Sequence, residues 1–362
     1  MEERDSMKQT VLNENAAAHI GRTCVCGDIL CLIMSGSGCR FMFEGRCLTL
    51  NTGCDADALN DGKVCNFPRI AVFVDGKPVV KKVLTGRRES FAVISSDTVT
   101  RSMVEIVKLS EAAFSIAEIY AAESDDDASF EPVQRDSALK IEFIGDSITC
   151  GYGIDDVTVD SPFSTGAENA LKSYACLTAA ALDAEYSIFA ASGYGVISGY
   201  TSDGQRNGAD IIPPHYGSLG FSYSRLPNGS APHDMQWEFS RFAPDIVVVN
   251  LGTNDENFCK VNRDTESEFA AEYRRFISRV REMNPQAAII CCLGVIKTEL
   301  IRQVRAVCSE LTDENDWKRL YFVEFPEQNG LLGYAADWHP SEDTHALMAE
   351  QLVEFINSNI LE

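Results

Sequence analysis

The sequence predicts two domains: an all-β sandwich followed by an α/β domain whose parallel sheet is covered on both faces. Up to Ile119, short apolar runs alternate with turn residues, the pattern of strands and hairpins in a sandwich. After the middle of the chain, β-branched runs alternate with stretches of helical period, as in a parallel sheet with helical crossovers. Between the two textures lies Ala121-Ala-Glu-Ser-Asp-Asp-Asp-Ala-Ser-Phe-Glu-Pro, an acidic stretch that fits neither period. The expected boundaries are 1–120 for the β-domain, 121–138 for an acidic linker, and 139–362 for the α/β domain.

In the first domain, strands are expected in the run from Gly27, in Ser37-Gly-Cys-Arg-Phe-Met-Phe-Glu-Gly-Arg-Cys-Leu-Thr-Leu, and in Ile70-Ala-Val-Phe-Val. The pair Asp75-Gly76 between two β-rich runs marks a tight hairpin turn, because both central positions of such a turn need positive φ. In the second domain, the expected strands are Ile141 to Gly145, Tyr186 to Ala190, Ile246 to Leu251, Ala287 to Leu293 and Leu320 to Phe325. Helices are expected at Ser173 to Leu182, Ser267 to Met283, Leu300 to Leu311 and Ser341 to Ile356. The clearest is the second, whose apolar stripe Phe269, Tyr273, Phe276, Ile277 and Val280 has the helical period.

Composition narrows the function. Over 362 residues there are 31 basic and 54 acidic side chains, a formal charge of −23. This argues against nucleic acid, which needs a clustered Lys/Arg surface, and against an anionic membrane surface. No apolar run approaches the roughly 18 residues of a spanning helix. The opening MEERDSMKQT is acidic and polar where an export signal starts basic and continues apolar, so the expected location is cytoplasmic. The 13 cysteines are odd in number and crowd before residue 70; they read as reduced, buried side chains and not as a disulfide framework. Cys24-Val-Cys26 has no matching second pair, so no metal is expected.

Three segments bring reactive side chains to strand ends, where open α/β sheets collect their chemistry. Phe143-Ile-Gly-Asp-Ser147-Ile-Thr runs a buried strand into a turn that can hold the Ser147 hydroxyl out of the sheet and use its N–H for an oxyanion. Val249-Asn-Leu-Gly-Thr-Asn254-Asp ends another strand, and Asn254 can donate its amide to a developing negative oxygen. Ala336-Asp337-Trp338-His339-Pro-Ser341 precedes the last helix, with Ser341 or Asp343 available to cap it. Here His339 can serve as base for Ser147 and Asp337 can orient it. Each alone is also an ordinary turn or a packed loop; their joint occurrence in this order is what changes the reading.

In that order the blocks resemble those of the SGNH, or GDSL, hydrolases. Ala190-Ala-Ser-Gly193-Tyr-Gly195-Val occupies the place of the remaining block. Gly145-Asp-Ser-Ile-Thr-Cys-Gly-Tyr-Gly153, Ala191-Ser-Gly-Tyr-Gly-Val196 and Asp337-Trp-His-Pro-Ser341, preceded by an all-β domain, are similar to carbohydrate esterase family 2. The resemblance implies a flavodoxin-like three-layer hydrolase domain after a jelly roll. It also implies a Ser147 nucleophile, His339 as base, and an oxyanion hole of the Ser147 N–H, Gly195 and Asn254, with Gly193 the alternative to Gly195. Only Trp338 separates Asp337 from His339, where many members of the superfamily space acid and histidine by two residues. Family 2 includes Ser-His dyads with the imidazole held by a backbone carbonyl, so the role of Asp337 stands open between its carboxylate and a carbonyl.

The implied activity is a carbohydrate O-deacetylase acting on acetylated xylo- or manno-oligosaccharides through an acyl-serine, with no cofactor. The alternatives are a lipase or thioesterase of the same superfamily acting on longer acyl esters, and a carbohydrate-binding protein with a vestigial site. Trp338 is expected to stack on a sugar face. Asp146 and Asp255 are expected to be structural, accepting backbone N–H groups beside tight turns. The insertion from Ser198 to Met235, with His215, Tyr216, Phe221, Tyr223 and His233, is expected to shape the cleft.

Overall fold

A 17-residue strand, Gly38–Cys54, is the spine of the first unit. Its inward side chains, among them Phe41, Phe43, Leu48 and Leu50, are fully buried. The computed structural model describes residues 7–135, 139–315 and 317–361, and the end of the expected linker, 136–138, lies outside them. The first compact unit comprises Met1–Asp136, Ser164–Gly166 and Ser218–Gln236. It is built on a ten-stranded sheet with the order Thr23–Cys26, Ile29–Leu32, Ala117–Ser124, Gly38–Cys54, Glu89–Lys108, Arg69–Val74 and Lys77–Val83; the remaining three strands pair with Ala117–Ser124 and Gly38–Cys54. Every ladder in it is antiparallel. Register shifts at Gly45/Cys47 and Leu48/Thr49 bend the long strand, so its two halves enclose one apolar core with Ile70, Val72, Val104, Ile106 and Ile119. Asp75 (φ 49) and Gly76 (φ 74) make the expected hairpin turn.

The acidic linker needs correction. Its first residues lie in the strand Ala117–Ser124, and Ser129–Pro132 pairs with Gly38–Cys54. The physical reason is the bulge: Asp125 Oδ1 accepts the Arg46 and Cys47 N–H groups at 2.9 and 3.0 Å, where the register shift between Gly45 and Cys47 leaves Arg46 out of the ladder. Phe130 then packs on Phe41 and Phe43, each at 5.4 Å. The expected linker thus contributes strand residues and a carboxylate that completes the sheet.

The second unit comprises Ser137–Phe163, Ala167–Gly217 and Trp237–Glu362. Its strands are β1 (Lys140–Gly145), β2 (Glu185–Ala190), β3 (Ile246–Asn250), β4 (Ala288–Gly294) and β5 (Leu320–Phe325). Its helices are α1 (Ser147–Cys150), α2 (Tyr174–Ala181), α3 (Asp255–Val261), α4 (Glu266–Met283), α5 (Ile301–Asn315) and α6 (Glu342–Asn359). The strands are parallel in the order β2-β1-β3-β4-β5, the doubly wound arrangement in which ligands bind where the order reverses, here between β1 and β3. Strand β3 and strand β4 are buried at every position, so both sheet faces are covered; α2 packs on α6 and α4 on α5. The stripe on α4 is the buried set expected from its period. Gly145 pairs with Ala190 on one side and Asn250 on the other, so three strands end level.

The insertion divides between the two units. Residues 218–236 belong to the first unit, and Phe221 is buried there. Tyr216 is fully buried in the second unit, its hydroxyl donating to Glu142 at 2.6 Å and accepting from Asn284 at 2.7 Å. Ten cysteines are buried and only Cys65 is exposed. Among the described residues no helix is long and apolar enough to cross a membrane.

Candidate active site

Strand β1 delivers its last residue, Gly145, into a space that admits no side chain: a Cβ there would lie 2.0 Å from Thr149 Oγ1. The chain therefore turns at once. Asp146 caps α1 by accepting the Ile148 N–H at 3.1 Å, which sets Ser147 at the first helical position. The N–H groups of a first turn have no acceptor within the helix, so that of Ser147 is available to an anion.

His339 meets the nucleophile directly, with Nε2 2.9 Å from Ser147 Oγ. Its Nδ1 lies 3.1 Å from the backbone carbonyl of Asp337. A carbonyl only accepts, so Nδ1 carries the proton and the Nε2 lone pair faces the serine hydroxyl. Asp337 and Trp338 both lie in the left-handed region, at φ 52 and φ 60. Two consecutive non-glycine residues there cost roughly 1–2 kcal/mol each, and the pair turns the Asp337 carbonyl back onto the ring. The turn is tied by Ala335 N–H to His339 O at 2.8 Å, His339 N–H to Ala336 O at 3.1 Å, and Gln328 Nε2 to Trp338 O at 2.8 Å. The alternative left open by the sequence thus resolves in geometry: Asp337 holds the imidazole by its main chain, while the nearest partner of its carboxylate is the Tyr152 hydroxyl at 3.5 Å. Burial lowers the His339 pKa to about 4, against the opposing pull of the Asp337 carboxylate and carbonyl, which favours the neutral ring that a general base needs.

Asn254 follows β3, buried, with Nδ2 donating to Tyr194 O at 2.9 Å and facing Asp146 Oδ2 at 3.4 Å. Its neighbour Asp255 accepts three successive N–H groups, from Val196, Ile197 and Ser198, at 2.7 to 3.0 Å. This is the structural role expected of it, and it anchors the loop after β2. Gly195 must be glycine because a Cβ would meet Ser198 O at 2.0 Å and Asp255 Oδ2 at 2.7 Å. Its N–H, however, donates to Asp210 O at 3.1 Å. The match to an oxyanion glycine therefore needs correction in this state: the residue is placed in the loop, but its donor is engaged within the protein.

Asp146 also accepts as expected, and burial raises its pKa to about 7. For an acid whose folded pKa is raised, stability is fully present below the unfolded value and is lost as pH rises through the folded one. Asp146→Asn mimics the neutral form and keeps an acceptor for the Ile148 N–H. It is expected to match the wild type in urea unfolding near pH 4 and to exceed it in stability by pH 8; an equal difference at both pH values would contradict the burial argument.

Trp338 is 55% exposed, with the Tyr334 ring 5.2 Å away, so it lies open beside His339 and not in a core. Sequence reasoning missed Tyr152, whose ring stacks on the His339 imidazole at 3.9 Å and 23°. The signal was the flanking glycines: Gly151 (φ 78) and Gly153 (φ 66) are both left-handed, and a Cβ on Gly153 would meet Ala336 Cβ at 2.8 Å.

The profile of the GDSL-like Lipase/Acylhydrolase family matches residues 143–347. Cellulase/esterase CelE from Acetivibrio thermocellus is 37% identical over 64% of this chain and 26% of its own length. An acetylxylan esterase / glucomannan deacetylase from Cellvibrio japonicus is 31% identical over 59% of this chain and 55% of its own. The chain thus spans about a quarter of the first curated relative and little more than half of the second. Among solved structures, a family two carbohydrate esterase from Clostridium thermocellum in complex with cellohexaose matches with a TM-score of 0.78 at 29% identity, over 94% of this chain and 98% of that one. The acetyl xylan esterase Est2A from Butyrivibrio proteoclasticus shares the fold with a TM-score of 0.84 at 21% identity, over 97% and 98% of the two chains. A family profile covering more than half of the sequence, over a parallel sheet whose level strand ends carry Ser147 and Asn254 beside His339, shows that the chain belongs to the GDSL-like lipase/acylhydrolase family.

Proposed function

We propose that the protein is a serine carboxylic-ester hydrolase that removes acetyl groups from xylo- or manno-oligosaccharides. The observation that carries the reading is the Ser147 Oγ to His339 Nε2 contact at 2.9 Å, with the opposite ring nitrogen held by a carbonyl. His339 takes the Ser147 proton as Oγ attacks the acetyl carbonyl, then gives that proton to the departing sugar hydroxyl; water repeats the sequence on the acyl-serine and releases acetate. The Ser147 N–H serves the oxyanion directly, and Asn254 Nδ2 and the Gly195 N–H join it by exchanging the acceptors they now hold, Tyr194 O and Asp146 Oδ2 for the first and Asp210 O for the second. The relatives' names, an acetylxylan esterase / glucomannan deacetylase and an esterase of family two seen with cellohexaose, support a sugar ester as substrate.

The same reading takes the bent antiparallel sheet of the first unit as a jelly roll, which its two long strands crossing a single core support. It places the enzyme in the reducing cytoplasm, which the 13 cysteines support.

The deciding experiment is acetate release from acetylated xylo- and manno-oligosaccharides beside a p-nitrophenyl ester series of increasing acyl length. Deacetylation with acetyl preferred is expected; a preference for octanoyl esters would favour the lipase reading, and failure of a fluorophosphonate to label Ser147 would favour a binding protein. Trp338→Ala is expected to raise KM for the oligosaccharide by about 5- to 15-fold, as loss of one stacking face does, while leaving hydrolysis of p-nitrophenyl acetate within twofold. An unchanged oligosaccharide KM would remove Trp338 from the sugar site.

A further inference from the structure

We infer that Tyr152 is a positioning residue for the general base: its ring face holds the His339 imidazole in plane and supports the imidazolium that forms when Ser147 is deprotonated. This deepens the proposed Ser147–His339 chemistry and rests on it.

The hydrogen bonds of His339, Nε2 to Ser147 and Nδ1 to the Asp337 carbonyl, lie in the ring plane and leave tilt about the line joining them uncontrolled. The carbonyl is a neutral acceptor, so it brings no full charge to the proton-bearing side. Tyr152 supplies what is missing. Its ring lies 3.9 Å from the imidazole centroid at 23°, within the range in which an aromatic face attracts a cation. Groups facing His339 from elsewhere do not take this part. His345 on α6 is kept neutral by burial, with Nδ1 accepting the Tyr174 N–H at 3.1 Å. Ser147 on α1 is the reacting partner, and Asp337 on the same loop reaches the ring through its carbonyl while its carboxylate adds only a Coulombic pull.

Tyr152 is itself fixed. It is 7% exposed, its ring packs on Phe163 at 5.4 Å, and its N–H donates to the Ser147 carbonyl at 3.1 Å. Gly151 admits no Cβ, which would lie 2.5 Å from Asn169 O. One short turn therefore carries both the nucleophile and the plate against which its base is pressed. The hydroxyl, 3.5 Å from Asp337 Oδ2, is at the limit of a hydrogen bond, so the ring and not the hydroxyl bears the role.

The test compares Tyr152→Phe, Tyr152→Leu and Tyr152→Met in hydrolysis of p-nitrophenyl acetate and in the rate at which a fluorophosphonate labels Ser147. Tyr152→Phe is expected to stay within threefold of the wild type. Tyr152→Leu and Tyr152→Met are expected to lose roughly 5- to 30-fold in kcat and in labelling rate with KM within twofold, and to move the acid limb of kcat/KM to lower pH, since an unsupported imidazolium loses its proton more readily. Full activity in folded Leu or Met variants would overturn the inference, as would a Phe variant as slow as they are; if Leu fails to fold, Met decides. Labelling needs no sugar, so a wrong substrate assignment appears only in acetate release from oligosaccharides, whereas a wild type that does not label overturns both.

Discussion

Ser147→Ala is expected to lower acetate release by about 10⁴- to 10⁶-fold, the loss that follows removal of a serine nucleophile when the rest of the site is intact. The change is clean in this fold. Ser147 is only 6% exposed but owes its position to its neighbours: the Asp146 cap, the Gly145 approach to Thr149, and the Tyr152 N–H on its own carbonyl. Alanine at the first position of a short helix disturbs none of these, so the melting temperature should stay within a few degrees of the wild type. The variant should still bind oligosaccharide, because Trp338 and the loop after β2 are unaltered. Acetate release at a rate comparable to the wild type would mean that another group attacks the ester.

What was legible in the sequence is what local pattern encodes. The β-branched run at 246–250 can only be a buried strand, and the stripe from Phe269 to Val280 can only be an amphipathic helix. The four blocks, read in order, brought Ser147, Asn254 and His339 to the mouth of a sheet that the structure shows ending level at Gly145, Ala190 and Asn250. What was not legible depends on backbone geometry or on contacts between residues far apart in the chain. Asp125 looks like a solvated acid until the bulge at Arg46 and Cys47, 79 and 78 residues away, is known. Tyr216 looks like a loop aromatic until Glu142 and Asn284 are seen on its hydroxyl. Gly195 fits a motif by position, yet whether its N–H points at a substrate or at Asp210 depends on a crossing chain that no local pattern announces.

His339→Ala and Asp337→Asn form a pair whose contrast separates a dyad from a triad. Removing His339 takes away the ring nitrogen that faces Ser147 Oγ at 2.9 Å and accepts its proton, and a loss of about 10⁴- to 10⁶-fold in kcat is expected, close to that of Ser147→Ala because nucleophile and base act as a unit. Asp337→Asn should behave quite differently. Where a carboxylate orients the imidazole, the amide exchange costs roughly 10⁴-fold because it presents the wrong tautomer. Here the orienting atom is the backbone oxygen at 3.1 Å, which the substitution leaves in place, and asparagine tolerates the left-handed φ of 52 that the turn demands. The expected loss is therefore less than about tenfold. The sign of a second effect follows from charge. The Asp337 carboxylate favours the protonated imidazole, so its neutralisation lets His339 shed its proton more readily and moves the acid limb of kcat/KM to lower pH. A 10⁴-fold fall for Asp337→Asn would assign the orienting role to the carboxylate after all, and with it a rotation of the 336–339 turn away from the geometry described.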